Sequence, residues 1–277
     1  MKKISIIAIA LFAGVFGACT VQETLPSDSF FTLHAVNGDA PGTKTALQEG
    51  GKVVWSPHDQ INVFYGKAFG CFVSTNTELA DKAEFKGELA DIKLSDSGVF
   101  WAVYPYSPAN TFDGNAVTLT VPAVQTAAEG TFATDLFPSL AFSSSTELTF
   151  YNLCGGIKFS VAIDGVKYIV FSGNDSEVLA GKVKVVFNKD NKPIPGEQVS
   201  AEKSVKVIAP EGGPFKTGTW YYLVALPRTL TDGYKIELYG DDDKLIDTKE
   251  GGPTQIERSV WGVLSNLGKK PDDPVNP

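Results

Sequence analysis

The feature that most constrains this chain is an alternation of apolar and polar side chains with a period of two, renewed at short intervals and broken each time by turn residues. Residues 30–36, Phe-Phe-Thr-Leu-His-Ala-Val, are an example. Successive side chains of a strand point to opposite faces, so such alternation lets a sheet bury one face and wet the other. The pattern recurs at 52–55, 61–65, 69–74, 83–88, 99–104, 116–121, 140–143 and 147–152. It continues at 157–163, 167–171, 182–187, 204–208, 220–225, 234–239, 244–248 and 255–263. Asp164-Gly165, Asp232-Gly233 and Gly240-Asp241 supply turn chemistry between these runs, and residues 188–195 form a longer break. Asp164-Gly165 reads as a hairpin joining 157–163 to 167–171. One helical turn is expected, near residues 127–134. Strands spaced by roughly 8–12 residues argue for stacked antiparallel sheets over a parallel one. There are too many for one simple sandwich. The expected fold class is therefore all-β, with two tandem antiparallel β-sandwiches at 30–158 and 159–268, and Gly155-Gly156 offering a bend near the boundary.

The N-terminus sets the compartment. Lys2 and Lys3 precede a mainly apolar run, residues 4–16, that is short for a membrane span and suits the core of an export signal. Gly17 and Ala18 then lead into Cys19. Phe16-Gly17-Ala18-Cys19 resembles the lipobox of bacterial lipoproteins, with Phe16 where leucine is usual. The resemblance implies a signal peptide over 1–18, diacylation of the Cys19 sulfur, and a polar tether over 19–29. A methylene buried in lipid contributes about 0.8 kcal/mol, so several acyl chains hold a globular body on a membrane. The tail, residues 269–277, carries three prolines and reads as a stiff solvated end.

Composition narrows the chemistry. A formal charge of −8, with Arg228 and Arg258 as its two arginines, excludes nucleic acid, which needs a positive field to displace counterions. Two histidines and three cysteines leave little for catalysis. His34 lies in the first strand, and His58 beside Asp59 in a Ser-Pro-His-Asp turn has neither a nucleophile motif nor base–orienter geometry with its sequence neighbour. No zinc spacing occurs, and Asp241-Asp242-Asp243 lacks calcium-loop spacing and reads as a solvated hairpin turn. No catalytic residue, metal site or cofactor is expected. Cys71 and Cys154 read as small buried hydrophobes or, in an exported protein, a disulfide.

Several stretches together are similar to the fimbrillin family, the type V pilus subunits and related surface lipoproteins of Bacteroides-type bacteria. They are Gly42-Thr43-Lys44-Thr45-Ala46-Leu47, residues 54–64 beginning Val-Trp-Ser-Pro-His-Asp, Ala83-Glu84-Phe85-Lys86-Gly87 and Phe100-Trp101-Ala102-Val103-Tyr104-Pro105-Tyr106. Residues 118–125, 148–154 and 256–264 complete the set. The resemblance implies transthyretin-like, Greek-key sandwiches and a non-enzymatic role in a pilus or in adhesion at the outer membrane surface. It implies further that a protease removes the first strand and that a segment of another subunit fills the vacated groove, a form of β-strand addition. The family's cleavage position falls at Lys44-Thr45, where this chain has lysine in place of the usual arginine. Ile256, Val260, Val263 and Leu267 are the candidate donor-strand residues, on what is otherwise the last strand of its own sandwich. The implied partners are copies of itself or other pilus subunits, the membrane through the lipid, and surface ligands. The alternative is a glycan-binding surface lipoprotein of a polysaccharide-utilisation system, which would need solvent-facing aromatics arranged as a platform.

Overall fold

A computed structural model describes residues 30–39, 54–90, 92, 98–133 and 135–269. Within them the chain is β throughout, with two single-turn 3-10 segments. The strands of the first half are β1 (Phe30–Asn37), β2 (Gln60–Tyr65), β3 (Ala68–Ser74), β4 (Lys82–Glu88) and β5 (Phe100–Tyr104). Then come β6 (Thr111–Phe112), β7 (Val117–Val121), β8 (Val124–Thr126), β9 (Ser139–Ser143) and β10 (Glu147–Asn152). The second half holds β11 (Gly155–Val161), β12 (Tyr168–Gly173), β13 (Gly181–Phe187), β14 (Pro193–Gln198), β15 (Ser204–Ile208) and β16 (Trp220–Ala225). It ends with β17 (Arg228–Leu230), β18 (Tyr234–Tyr239), β19 (Leu245–Gly251), β20 (Thr254–Ile256) and β21 (Trp261–Leu267).

One sheet closes on itself as a barrel, in the order β1-β10-β9-β5-β2-β3-β4. The others are β16-β11-β21, β19-β18-β12-β15-β8, β14-β13-β7-β6 and the pair β17-β20. Pairing is antiparallel except between β1 and β10, β11 and β21, and β8 and β15. β7 pairs with β13 and β8 with β15, so strands from either side of residue 158 share sheets.

The barrel is filled by alternate side chains of its strands. Trp55 is buried at its centre, meeting Phe85, Tyr104 and Phe150 edge-on at ring distances of 5.1, 5.6 and 5.1 Å. β5 is buried on both faces. Phe100, Ala102 and Tyr104 point into the barrel, while Trp101 and Val103 join the larger core that includes Val183, Val207, Leu223 and Ile236. The 99–104 run, read as alternating, is corrected here: residues 100–104 are apolar at every position, because both faces of the shared strand are out of water.

Several sequence expectations are corrected. Asp164-Gly165 does form a turn, with Gly165 at φ 80°, but it carries the chain between sheets: β11 pairs with β16 and β21, β12 with β15 and β18. Residues 255–263 are not one strand, because Ser259 at φ 64° turns the chain between β20 and β21. In place of the helical turn near 127–134, the chain makes a tight turn at 129–130 closed by an Ala128–Thr131 bridge. Gly155 and Gly156 do not bend the chain. They lie inside β11, where a side chain on Gly155 would strike the Glu257 carbonyl and one on Gly156 the Leu223 carbonyl. β14 was masked in the sequence by Pro193 and Pro195, which an edge strand accommodates because its outer N–H groups need no partner.

The Ser56–Asp59 turn contains a buried carboxyl. The Ser56 N–H donates to Asp59 Oδ2 at 2.7 Å. Burial, opposed by that bond and assisted by the nearby charge of Asp135, pushes the Asp59 carboxyl up to about 7. An unfolded aspartate titrates near 3.9, so between about pH 4 and pH 7 the folded state holds a proton the unfolded chain has lost. The stability from this group is complete below the unfolded value and is lost as pH rises through 7. Urea unfolding from pH 4 to 8 should therefore show Asp59→Asn gaining on the wild type as pH rises; parallel curves for the two proteins would contradict the assignment.

Candidate functional site at the first and terminal strands

β1 is the strand that closes the barrel. It runs antiparallel to β4, from Phe30 opposite Glu88 to Val36 opposite Lys82. On its other side it runs parallel to β10, from His34 opposite Glu147 to Asn37 opposite Phe150. Its alternation, read in the sequence, has a direct counterpart. Leu33 and Ala35 are fully buried in the barrel with Phe31 packed against the same core, whereas Phe30 and His34 face outward. β1 thus supplies two things at once: main-chain partners for the facing edges of β4 and β10, and a row of apolar plugs. Outside the barrel, a groove of about 420 Å³ runs past His34, Val36, Lys82, Glu84 and Glu147. The Lys86 ammonium 3.0 Å from Glu84 holds that carboxyl below the usual range.

β21 is built differently. It pairs in parallel with β11, from Gly156 opposite Trp261 to Val161 opposite Leu267, with a register break beside Asn266 at φ 55°. Among the described residues it lies at a sheet edge with β11 as its one neighbour. The four candidate donor residues do not share one strand or one face. Ile256 is buried on β20, which pairs with β17, and Leu267 is buried at the end of β21. Val260 sits in the turn at 49% exposure and Val263 on β21 at 62%. The irregularity in the pairing of β21 lies beyond Leu264.

The exit of β1 meets the turn before β21. The Gly38 N–H donates to the Phe150 carbonyl at 2.9 Å, and a side chain at Gly38 would collide with Tyr151 and Thr149. Asp39 follows. Its oxygens take Arg258 Nη1 at 2.6 and 2.8 Å, and its Oδ2 takes the Asn152 N–H at 2.7 Å. Nothing in the sequence flagged this pair, since 219 positions separate its members.

Cys19, Lys44 and Thr45 lie outside the described residues. Cys154 is a free, buried thiol, pushed well above the ordinary thiol range by burial, and it is not joined to Cys71. His58 is at φ 62° in its turn, and Asp241–Asp243 form a 3-10 turn between β18 and β19. Among the described residues no cluster of three or more His, Cys, Asp or Glu side chains could hold a metal ion. An aromatic groove of about 810 Å³ is lined by Phe64, Tyr65, Phe69, Trp101 and Phe112. Two of its polar side chains are engaged: Asn110 donates to Asn62, and Asp113 accepts from the Asn115 and Ala116 N–H groups. Trp101 is packed against Phe112, Phe142 and Phe187. Of these five rings, Phe69, at 73% exposure, is the one that projects freely into solvent. These rings make a core boundary more than a sugar platform.

No protein-family model matches the chain. No curated protein matches it either. Among solved structures it is similar to a candidate cell adhesion protein from Bacteroides ovatus, at 11% identity and a TM-score of 0.46 over 76% of this chain and 83% of that one. A candidate cell adhesion protein from Bacteroides fragilis aligns at 9% identity and a TM-score of 0.43, over 84% and 90%. A fimbrial protein from Bacteroides ovatus aligns at 12% identity and a TM-score of 0.39, covering 84% of this chain and 47% of that one. Overlap of this degree does not establish a shared role.

Core and edge positions should separate cleanly in denaturation. Leu33→Ala should cost about 2–5 kcal/mol and Trp101→Ala about 3–5 kcal/mol, whereas Val263→Ala should stay within about 0.5 kcal/mol. A Trp101→Ala variant of unchanged stability would contradict the core assignment.

Proposed function

We propose that this chain is a fimbrillin-like cell-surface lipoprotein that joins other subunits by exchange of its first strand. It is exported, acylated at Cys19 and displayed from the outer membrane, with no catalytic role. The observation that carries the reading is the position of β1, held between β4 and β10 with Leu33 and Ala35 in the barrel core. A strand in that position is separable in principle: its removal leaves two unpaired edges flanking an apolar slot, which is what β-strand addition requires of an acceptor. The connection after β1 carries Lys44-Thr45, the position that the family resemblance marks for cleavage.

The donor is the second half of the reading. Among the described residues β21 has an open edge and exposes Val263, while Trp261 and Leu267 anchor its two ends in the core. An outgoing β21 would present Leu264 and Leu267, together with Val260 and Val263, to an acceptor groove. Ile256 lies on a separate strand and stays behind as part of the core.

Two measurements test this. Purified protein treated with a trypsin-like protease should be cut after Lys44, confirmed by intact mass, and should then migrate as oligomers in size-exclusion chromatography. Complete cleavage with loss of β1 and persistent monomers would contradict strand exchange. Cells fed labelled palmitate should label the wild type and not Cys19→Ala; an unlabelled wild type would remove the anchor.

A further inference from the structure

We infer that the Asp39–Arg258 contact is a latch by which the first strand holds the terminal strand in place. Asp39 lies two residues beyond the end of β1, and Arg258 lies in the turn that leads from β20 into β21. The pair is out of bulk water, with the side chains 5% and 20% exposed. Arg258 Nη1 also reaches the Asn152 carbonyl at 3.2 Å and Ser259 Oγ at 3.3 Å. Asn152 Nδ2 donates to the same Ser259 Oγ at 3.1 Å, and the guanidinium carbon sits 5.9 Å from the centre of the Tyr151 ring. The end of β10 is therefore the anvil on which both elements are fastened: Asp39 from one side, Arg258 and Ser259 from the other.

Physical reasoning gives the contact a direction. Removing one member of a buried ion pair strands the other charge, which then pulls its segment toward water. If β1 departs, Asp39 departs with it, and Arg258 is left at the floor of a turn with neutral acceptors only. The turn is also held by main-chain bonds: Val260 N–H to the Glu257 carbonyl at 3.2 Å within it, and Ser259 N–H to the Cys154 carbonyl at 2.9 Å and Gly156 N–H to the Val260 carbonyl at 3.1 Å at its base. Among the described residues β21 beyond it has one neighbour, β11, and exposes Gly262, Val263, Ser265 and Asn266. The loss of Asp39 therefore acts on the turn that feeds β21, directly before Trp261, whose ring packs on Phe132, Phe137 and Tyr222. In the strand-exchange reading, on which the use of the latch rests, a subunit whose first strand is in place keeps its donor docked, and one that has lost it offers both acceptor and donor.

The coupling is measurable in the uncleaved protein, so its failure is distinct from a failure of strand exchange. Hydrogen–deuterium exchange of the full chain should show Asp39→Asn speeding the amides of β21, and Arg258→Gln speeding those of β1, each by about tenfold. In the double variant the two effects should not add, as expected for partners in direct contact. Local fraying alone would speed β1 in Asp39→Asn and leave β21 protected; that result overturns the latch. Arg258→Met, which keeps an apolar stem but removes the charge and its donors, gives the same test if Arg258→Gln does not fold: faster β1 exchange supports the latch, unchanged β1 exchange overturns it.

Discussion

The structure depends on one constraint: a sheet edge must find a partner, and β1 is the partner for two edges at once. β4 and β10 are not neighbours in the barrel order except through β1. With β1 between them every strand of that sheet has two neighbours, and the barrel interior is sealed by Leu33 and Ala35. Without it the sheet opens, exposing N–H and C=O groups on both flanks and a slot lined by large side chains such as Phe85, Leu148 and Phe150. Unpaired edges over apolar surface are sites of association. The same strand is therefore the seal of the barrel and, on the proposed strand exchange, its absence creates the acceptor for an extended segment.

That constraint also orders the rest of the molecule. β5, buried on both faces, ties the barrel to the larger core through Trp101 and Val103, so the barrel is not a free-standing unit. β7 and β8 leave the N-terminal half to pair with β13 and β15. Main-chain pairing across the middle of the chain means that the second core includes residues from both halves, among them Val117, Leu119 and Val121 from the first. The terminal strand, by contrast, is an addition to an edge, and its hold depends on Trp261, Leu264, Leu267 and the turn fastened by Arg258.

Much of this was legible in the sequence, for a local reason. Period-two patterning reports which side of a strand is buried, and residues 147–152, 204–208, 220–225 and 234–239 are strands with those bounds. The first strand was equally plain, because Phe31, Leu33 and Ala35 alternate with Thr32 and His34. What alternation does not carry is partner choice. Asp164-Gly165 is good turn chemistry, yet the strands it joins belong to different sheets. Residues 255–263 are apolar at the right places for one strand, but Ser259 in the left-handed region divides them. The terminal site was only half readable for the same reason. Ile256 and Val263 are both apolar, and burial alone separates a core residue from an exposed one. The Asp39–Arg258 pair was invisible, since it depends on where two distant turns meet.

The most direct measurement of the central claim is complementation. A chain beginning after Thr45 should bind a synthetic peptide of residues 30–39 and recover a cooperative thermal transition, with β4 and β10 amides protected from exchange. A truncated chain that is already stable and cooperative without the peptide, or one that ignores it, would contradict the account of β1 as the separable seal of the barrel.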